Sequence, residues 1–196
     1  INSLDDFRGL KMRIPGLGGE VVRALGGAAV AIPGGEIFGG LQSGLIDATE
    51  WVGPWNDFFL GFYRVAPLYY GPGFHEPGAA LAVGVNRKVW EGLPREHQAI
   101  IKAACARAND TSLGEFTFQN AAYLKLLKEQ HGVSVRNFPP DLLKRAREAS
   151  RDILSKAGSG DALSRKIYAS FEAVLKTSGA WAAVSDAGYY PMRDAG

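Results

Sequence analysis

Cysteine is almost absent from this chain, Cys105 being the single one in 196 residues. An internal disulfide is thereby excluded, and so is a metal centre built on several thiolates. Cys105 falls in the apolar helical stretch Ile100-Ile101-Lys102-Ala103-Ala104-Cys105-Ala106, which reads as a buried small hydrophobe rather than a nucleophile. Histidine is scarce too, with His75, His97 and His131 far apart. A charge excess is also lacking: 22 basic against 20 acidic side chains leave a net charge of +2, no footprint for nucleic acid or an anionic membrane. No apolar run approaches the roughly 20 residues that span a bilayer. The opening Ile1-Asn2-Ser3-Leu4-Asp5-Asp6 has neither the basic nor the hydrophobic region of an export signal, so any such signal is expected to have been removed or to lie outside this sequence.

What is present is an ordinary globular composition, 46% hydrophobic and 21% charged, which argues against disorder. Glycine is the exception. Its 25 residues are nearly double the usual ~7%, and most fall in the first half, where they serve tight turns.

Short apolar runs at residues 11–14, 28–32, 46–51 and 80–85 read as strands, with helical patterns at 19–25 and 36–43 between them. This alternation predicts α/β structure with parallel pairing. From Pro94 the texture changes. Residues 95–130 are nearly free of Gly and Pro and predict one long helix, with Gly114 as the place for a kink. A strand is expected at 133–138, a helix opened by Pro139-Pro140-Asp141 to about residue 156, and a last helix over 161–178. Gly158-Ser159-Gly160 reads as a helix connection, and the tail from Ser185 either docks or frays.

Arg13 ends a strand just before Pro15-Gly16. There its guanidinium can project into a crevice and take both oxygens of a carboxylate. The plainer alternative is an arginine held in a structural ion pair. Glu50 and Trp51 close the segment Gly44-Leu45-Ile46-Asp47-Ala48-Thr49-Glu50-Trp51. Both enter one pocket provided the strand ends there, as Gly53-Pro54 indicates; the carboxylate could then hold a hard cation or accept a ligand hydroxyl. Otherwise Trp51 is a core residue beside a surface acid. His75 and Glu76 lie in a loop bounded by Gly71-Pro72-Gly73 and Pro77-Gly78. His-Glu-Pro-Gly cannot form the helical His-Glu-x-x-His face of a zinc site, and Gly16-Leu17-Gly18-Gly19-Glu20-Val21 fails the dinucleotide fingerprint at Val21. No Gly-x-Ser-x-Gly elbow occurs. The strand ends together predict a pocket for a small carboxylate.

Three ordered segments carry a family likeness: Arg8-Gly9-Leu10-Lys11-Met12-Arg13; Pro33-Gly34-Gly35-Glu36-Ile37-Phe38 with Leu41-Gln42-Ser43-Gly44-Leu45-Ile46-Asp47-Ala48; and Val85-Asn86-Arg87-Lys88-Val89-Trp90-Glu91-Gly92-Leu93-Pro94. They resemble the DctP-like solute-binding proteins of tripartite ATP-independent periplasmic (TRAP) transporters, over nearly the whole chain. Glu50-Trp51 followed by Gly73-Phe74-His75-Glu76-Pro77-Gly78 is similar to the branch that binds 2-oxo acids or lactate with a metal ion.

The resemblance implies a periplasmic-binding-protein-like (type II) lobe, α/β with a small mixed sheet flanked by helices, followed by long C-terminal helices. Residues 1–93 would form the ligand-binding lobe. Residues 94–196, long helices and one strand, would brace the lobes without being an independent domain. Arg13 matches the arginine that grips the ligand carboxylate, and Glu50, Trp51 and Glu76 match the cation and ligand shell, the cation being Ca²⁺ or Na⁺. The implied partners are a small monocarboxylate such as pyruvate or lactate and a membrane permease, and the implied location is the periplasm. Since the resembling proteins carry a first lobe of over a hundred residues before the Arg13 segment, a fragment lacking most of it is expected. A metal-assisted enzyme with Glu50 or Glu76 as acid or base is the alternative. An interaction domain pairing copies through apolar faces of the long helices, a homodimer, is a third reading.

Overall fold

A computed structural model of the chain describes residues 1–76, 78–79 and 81–193. It divides into two compact units, Ile1–Leu143 and Lys144–Gly196.

The first unit is built on two small sheets. Strand β1 (Lys11–Arg13) is followed by helix α1 (Gly16–Ala24), strand β2 (Ala28–Val30), helix α2 (Ile37–Ser43) and the two-residue strand β3 (Ala48–Thr49). The strand order is β2-β1-β3, with both neighbours parallel to β1. A mixed sheet was expected, and both described sheets are instead parallel. The reason is local: a helix fills each connection, and a strand that returns through a helix runs the same way as its neighbour. Gly44, at φ 74°, ends α2 in the left-handed conformation that costs other residues strain. The chain then turns so that Ile46 packs beside Ile37 and Phe62. Ile37 and Ile46 are 0% and 1% exposed, a burial worth about 1.5–3 kcal/mol each. The expected strand over 46–51 is thus shortened, because Ile46 bonds back to Gly40 rather than across the sheet.

Helix α3 (Pro54–Phe59) follows, with Pro54 where a missing N–H costs nothing. Strand β4 (Leu68–Gly71), which the sequence did not announce, pairs in parallel with β5 (Ser134–Asn137). Between them lie α4 (Arg87–Gly92) and the 37-residue α5 (Arg95–His131), which runs through Gly114 as unbroken helix and stops at Gly132, φ 66°. Asn86 caps α4 by accepting the N–H groups of Lys88 and Val89.

Two expectations fail here. Ala80, the first residue of the expected strand at 80–85, lies outside the described residues, and 81–85 form no strand. Leu81 and Val83 are 86% and 72% exposed; an apolar alternation becomes a strand only against a partner, and among the described residues none pairs with it. Cys105 is exposed rather than buried. It borders a shallow groove shared with Val83, Val85, Trp90 of α4 and Ile101.

Helix α6 (Pro140–Gly158) begins in the first unit and continues into the second, which also holds α7 (Ala162–Val184) and α8 (Asp186–Arg193). Asp161 caps α7 by accepting the Ser164 N–H at 2.7 Å. The tail therefore turns helical as far as Arg193; residues 194–196 are outside the described residues. No helix among the described residues is long and apolar enough to cross a membrane.

Candidate functional site

Because β1, β2 and β3 run in parallel, their carboxyl ends share one edge, the place where open α/β sheets present ligand crevices. Arg13 is the last residue of β1, in register with Val30 and Thr49. Glu50 is the first residue beyond β3, and its N–H still donates to the Arg13 carbonyl at 3.3 Å. This register places the two side chains together. Arg13 Nη1 donates to Glu50 Oε1 at 2.5 Å, and Arg13 Nε to the Ile32 carbonyl at 3.2 Å. Their side chains are 11% and 15% exposed, so the pair is mostly withdrawn from water and its members depend on one another. Nη2 of Arg13 has no hydrogen-bond partner among the described residues.

Trp51 faces Arg13, its ring centroid 5.2 Å from the guanidinium carbon, a cation–π distance. It fits because residue 34 is glycine. A Cβ on Gly34 would come within 2.5 Å of the indole.

His75 reaches the same carboxylate from the other side, Nε2 standing 3.6 Å from Glu50 Oε2 with the imidazole 18% exposed. Glu50 is thus flanked by a cation and an imidazole, one at each oxygen. Glu76 follows directly in the chain, yet its side chain is exposed and makes no ion pair with a described residue. The structure therefore brings Arg13, Glu50 and Trp51 together, adds His75, and leaves Glu76 apart.

Seven residues after Glu50, on α3, is Asp57, the buried charged side chain among the described residues, at 8% exposed. Tyr69 Oη donates to Asp57 Oδ2 at 2.7 Å, and the Gly53 N–H to Oδ1 at 3.3 Å. Burial pushes the Asp57 carboxyl above its usual range against those two bonds, and the charge of Glu50 adds to the rise. Burial first, then the charge of Asp57, hold Tyr69 well above an ordinary tyrosine, so it remains a phenol donor at physiological pH.

Residues 1–160 match the family model described as DctP, bacterial extracellular solute-binding protein, family 7. The chain belongs to this family. A monocarboxylate 2-oxoacid-binding periplasmic protein of Nostoc sp. (strain PCC 7120) is 41% identical over 189 residues, which cover 96% of this chain and 52% of that protein. A TRAP periplasmic solute-binding protein of Colwellia psychrerythraea, solved with calcium and pyruvate bound, is 36% identical at a TM-score of 0.89, over 96% of this chain and 58% of the other. A TRAP solute-binding protein of Bordetella bronchiseptica RB50, a mixed-occupancy dimer with copurified calcium and picolinate, superposes at a TM-score of 0.93 with 34% identity, over 100% of this chain and 58% of the other. The chain spans about half the length of the relatives it matches.

Membership in a solute-binding family displaces the enzyme alternative. The donor chemistry of this solute-binding chain suits a hard cation, since Glu50, Glu76 and a Trp51 carbonyl offer oxygen alone. In this structure those side chains are not gathered around one point. No group of three or more His, Cys, Asp or Glu side chains able to hold a metal is gathered among the described residues, and Glu50 is already engaged by Arg13.

Asp57 and Tyr69 escaped the sequence reading because they sit 12 residues apart on elements that only folding brings together. The one available signal was an acid in the first turn after Gly53-Pro54. His75 stands in the sequence beside Glu76, but the zinc motif that would give the pair a role is absent.

Proposed function

We propose that this chain is the ligand-gripping part of the extracytoplasmic solute-binding component of a TRAP-type transporter, capturing a small monocarboxylate such as pyruvate and delivering it to a membrane permease. Residues 1–93 act as the ligand-binding portion and residues 94–196 as its frame. The observation that carries the reading is Arg13 at the carboxyl edge of the first sheet, with two of its nitrogens fixed and Nη2 left for an incoming carboxylate. Trp51 shields the pair from water and strengthens every charge interaction beneath it. Glu50, Trp51 through its carbonyl, and Glu76 would hold Ca²⁺ or another hard cation, whose charge lets two carboxylates share a pocket with an organic anion. Two related structures, one with bound calcium and pyruvate and one with copurified calcium and picolinate, support this.

The test is calorimetric titration of pyruvate, with and without Ca²⁺, into this chain and into a version extended by the N-terminal half of the Nostoc relative. Calcium-enhanced binding in the extended version, with pyruvate recovered unchanged, is expected. Absence of binding in both would remove the monocarboxylate reading.

A second copy of the chain is a further partner in this proposal. Ile167, Phe171, Val174 and Trp181 of α7 are each at least 45% exposed, and recur at helical spacing as one apolar stripe. Sedimentation at micromolar concentration should report a dimer; a monomer there would contradict it.

A further inference from the structure

We propose that the buried hydrogen bond between Tyr69 and Asp57 is a strut that sets the loop carrying His75 and Glu76 against the Glu50–Trp51 turn, making both strut residues positioning residues of the site. The inference rests on the reading of Arg13 and Glu50 as the binding site.

Two stretches of chain meet here. One runs from Glu50 through Trp51 and Gly53 into α3, which carries Asp57; the other runs along β4, which carries Tyr69, and on into residues 72–76. Two polar contacts join them, Tyr69 Oη on Asp57 Oδ2 at 2.7 Å and His75 Nε2 near Glu50 Oε2 at 3.6 Å. The second contact is long and partly exposed, so the first sets the spacing. Each stretch is otherwise anchored elsewhere. The Trp55 N–H at the start of α3 donates to Asn120 Oδ1 of α5 at 3.1 Å, while the main chain of β4 pairs with β5. Asp57 also turns its second oxygen to the Gly53 N–H, two residues after Trp51, so the strut ends on the segment that carries the site.

Stability alone does not account for a carboxylate at this position. An apolar pair of similar volume would avoid the desolvation that raises the Asp57 carboxyl. What the pair provides is a fixed direction: a phenol that remains a donor, aimed at one oxygen of an acceptor whose other oxygen is occupied. Supporting bonds of this kind around a binding centre govern its affinity.

The test compares the unaltered chain with Tyr69→Phe and with the double variant Tyr69→Phe/Asp57→Leu, which removes the orphaned carboxylate and keeps the interior apolar. In ligand-free protein, the Trp51 indole N–H and His75 imidazole resonances should shift in both variants. In the extended version, calcium-dependent pyruvate affinity should fall about 10-fold in both, while the double variant recovers the melting temperature lost by Tyr69→Phe. Unmoved Trp51 and His75 resonances, or affinity within about twofold of the unaltered protein despite a lowered melting temperature, would reduce the pair to a packing feature. Should the unaltered protein take no pyruvate at all, the binding reading fails while the resonances still decide the strut.

Discussion

At the carboxyl edge of the first sheet, Arg13 and Glu50 are held by strand pairing on both sides of β1, whereas His75 and Glu76 extend from β4, a four-residue strand with one neighbour. The first edge is rigid through its backbone, and its side chains are already in contact. The second depends on side chains for its placement, and Glu76 is exposed. A site with one fixed and one adjustable wall can grip one end of a ligand before the other is in place. On the reading proposed above, the carboxylate grip belongs to the fixed wall, and the cation is shared between Glu50 and Trp51 on that wall and Glu76 on the adjustable one.

The largest break in that comparison should come from Arg13→Ala. Loss of the guanidinium would remove the proposed ligand contact and leave Glu50 without its cation, so pyruvate affinity in the extended version should fall by on the order of 2–5 kcal/mol. Urea unfolding should report lost stability as well, up to about 3 kcal/mol, because one member of a mostly buried pair is orphaned. Affinity like that of the unaltered protein would show that the carboxylate is gripped elsewhere.

Glu76→Gln probes the adjustable wall. An exposed side chain without an ion pair to a described residue should leave the urea midpoint unchanged, yet the calcium-dependent part of pyruvate affinity should drop about tenfold, near 1.4 kcal/mol. Equal loss with and without calcium would take Glu76 out of the cation's shell.

The fixed wall was also the legible one. The segments 11–14, with Met12 and Ile14 alternating with two cations, and 28–32, wholly apolar, are each stopped by Pro and Gly, and the structure keeps both as strands within a residue or two of their expected ends. Arg13, Glu50 and Trp51 could be named together because a parallel sheet gathers residues at strand ends whatever the rest of the chain does. The alternative reading of Arg13 as an ion-pair arginine is realised as well, with Glu50 as the partner. The adjustable wall was not legible in this way. Leu68-Tyr69-Tyr70-Gly71 has the aromatic content of a strand, but Pro67 and Pro72 leave it too short for an alternation to register. Residues 81–85 show the reverse, a clean alternation that pairs with nothing described. Pairing depends on a neighbour, and local sequence carries no record of which neighbour is present.

A smaller effect is expected from Gly34→Ala. The added methyl would meet the indole at 2.5 Å, and Trp51, 37% exposed, has room to swing outward. The cost to stability should therefore stay under about 1 kcal/mol, mainly the cation–π contact with Arg13. A shift in Trp51 fluorescence to longer wavelength with a nearly unchanged melting temperature is the expected signature; a large loss of stability would mean that the indole is a core residue after all.

A last effect is read by pH, and Asp57 carries it. Burial lifts the folded-state pKa of Asp57 above its unfolded value, so between the two the folded protein holds more of this proton than the unfolded chain does. The sign follows from linkage: where the folded state binds more protons, stability falls as pH rises. The Asp57 contribution is thus fully present below the unfolded carboxylate pKa of about 3.9 and is lost as pH climbs through the raised folded value. One proton limits the slope to about 1.4 kcal/mol per pH unit. Asp57→Asn cannot titrate and should flatten that part of the profile, whatever its effect on the absolute level. Urea unfolding of both proteins at pH steps upward from 4 measures the difference, and parallel curves would mean that Asp57 is better solvated than its 8% exposure implies.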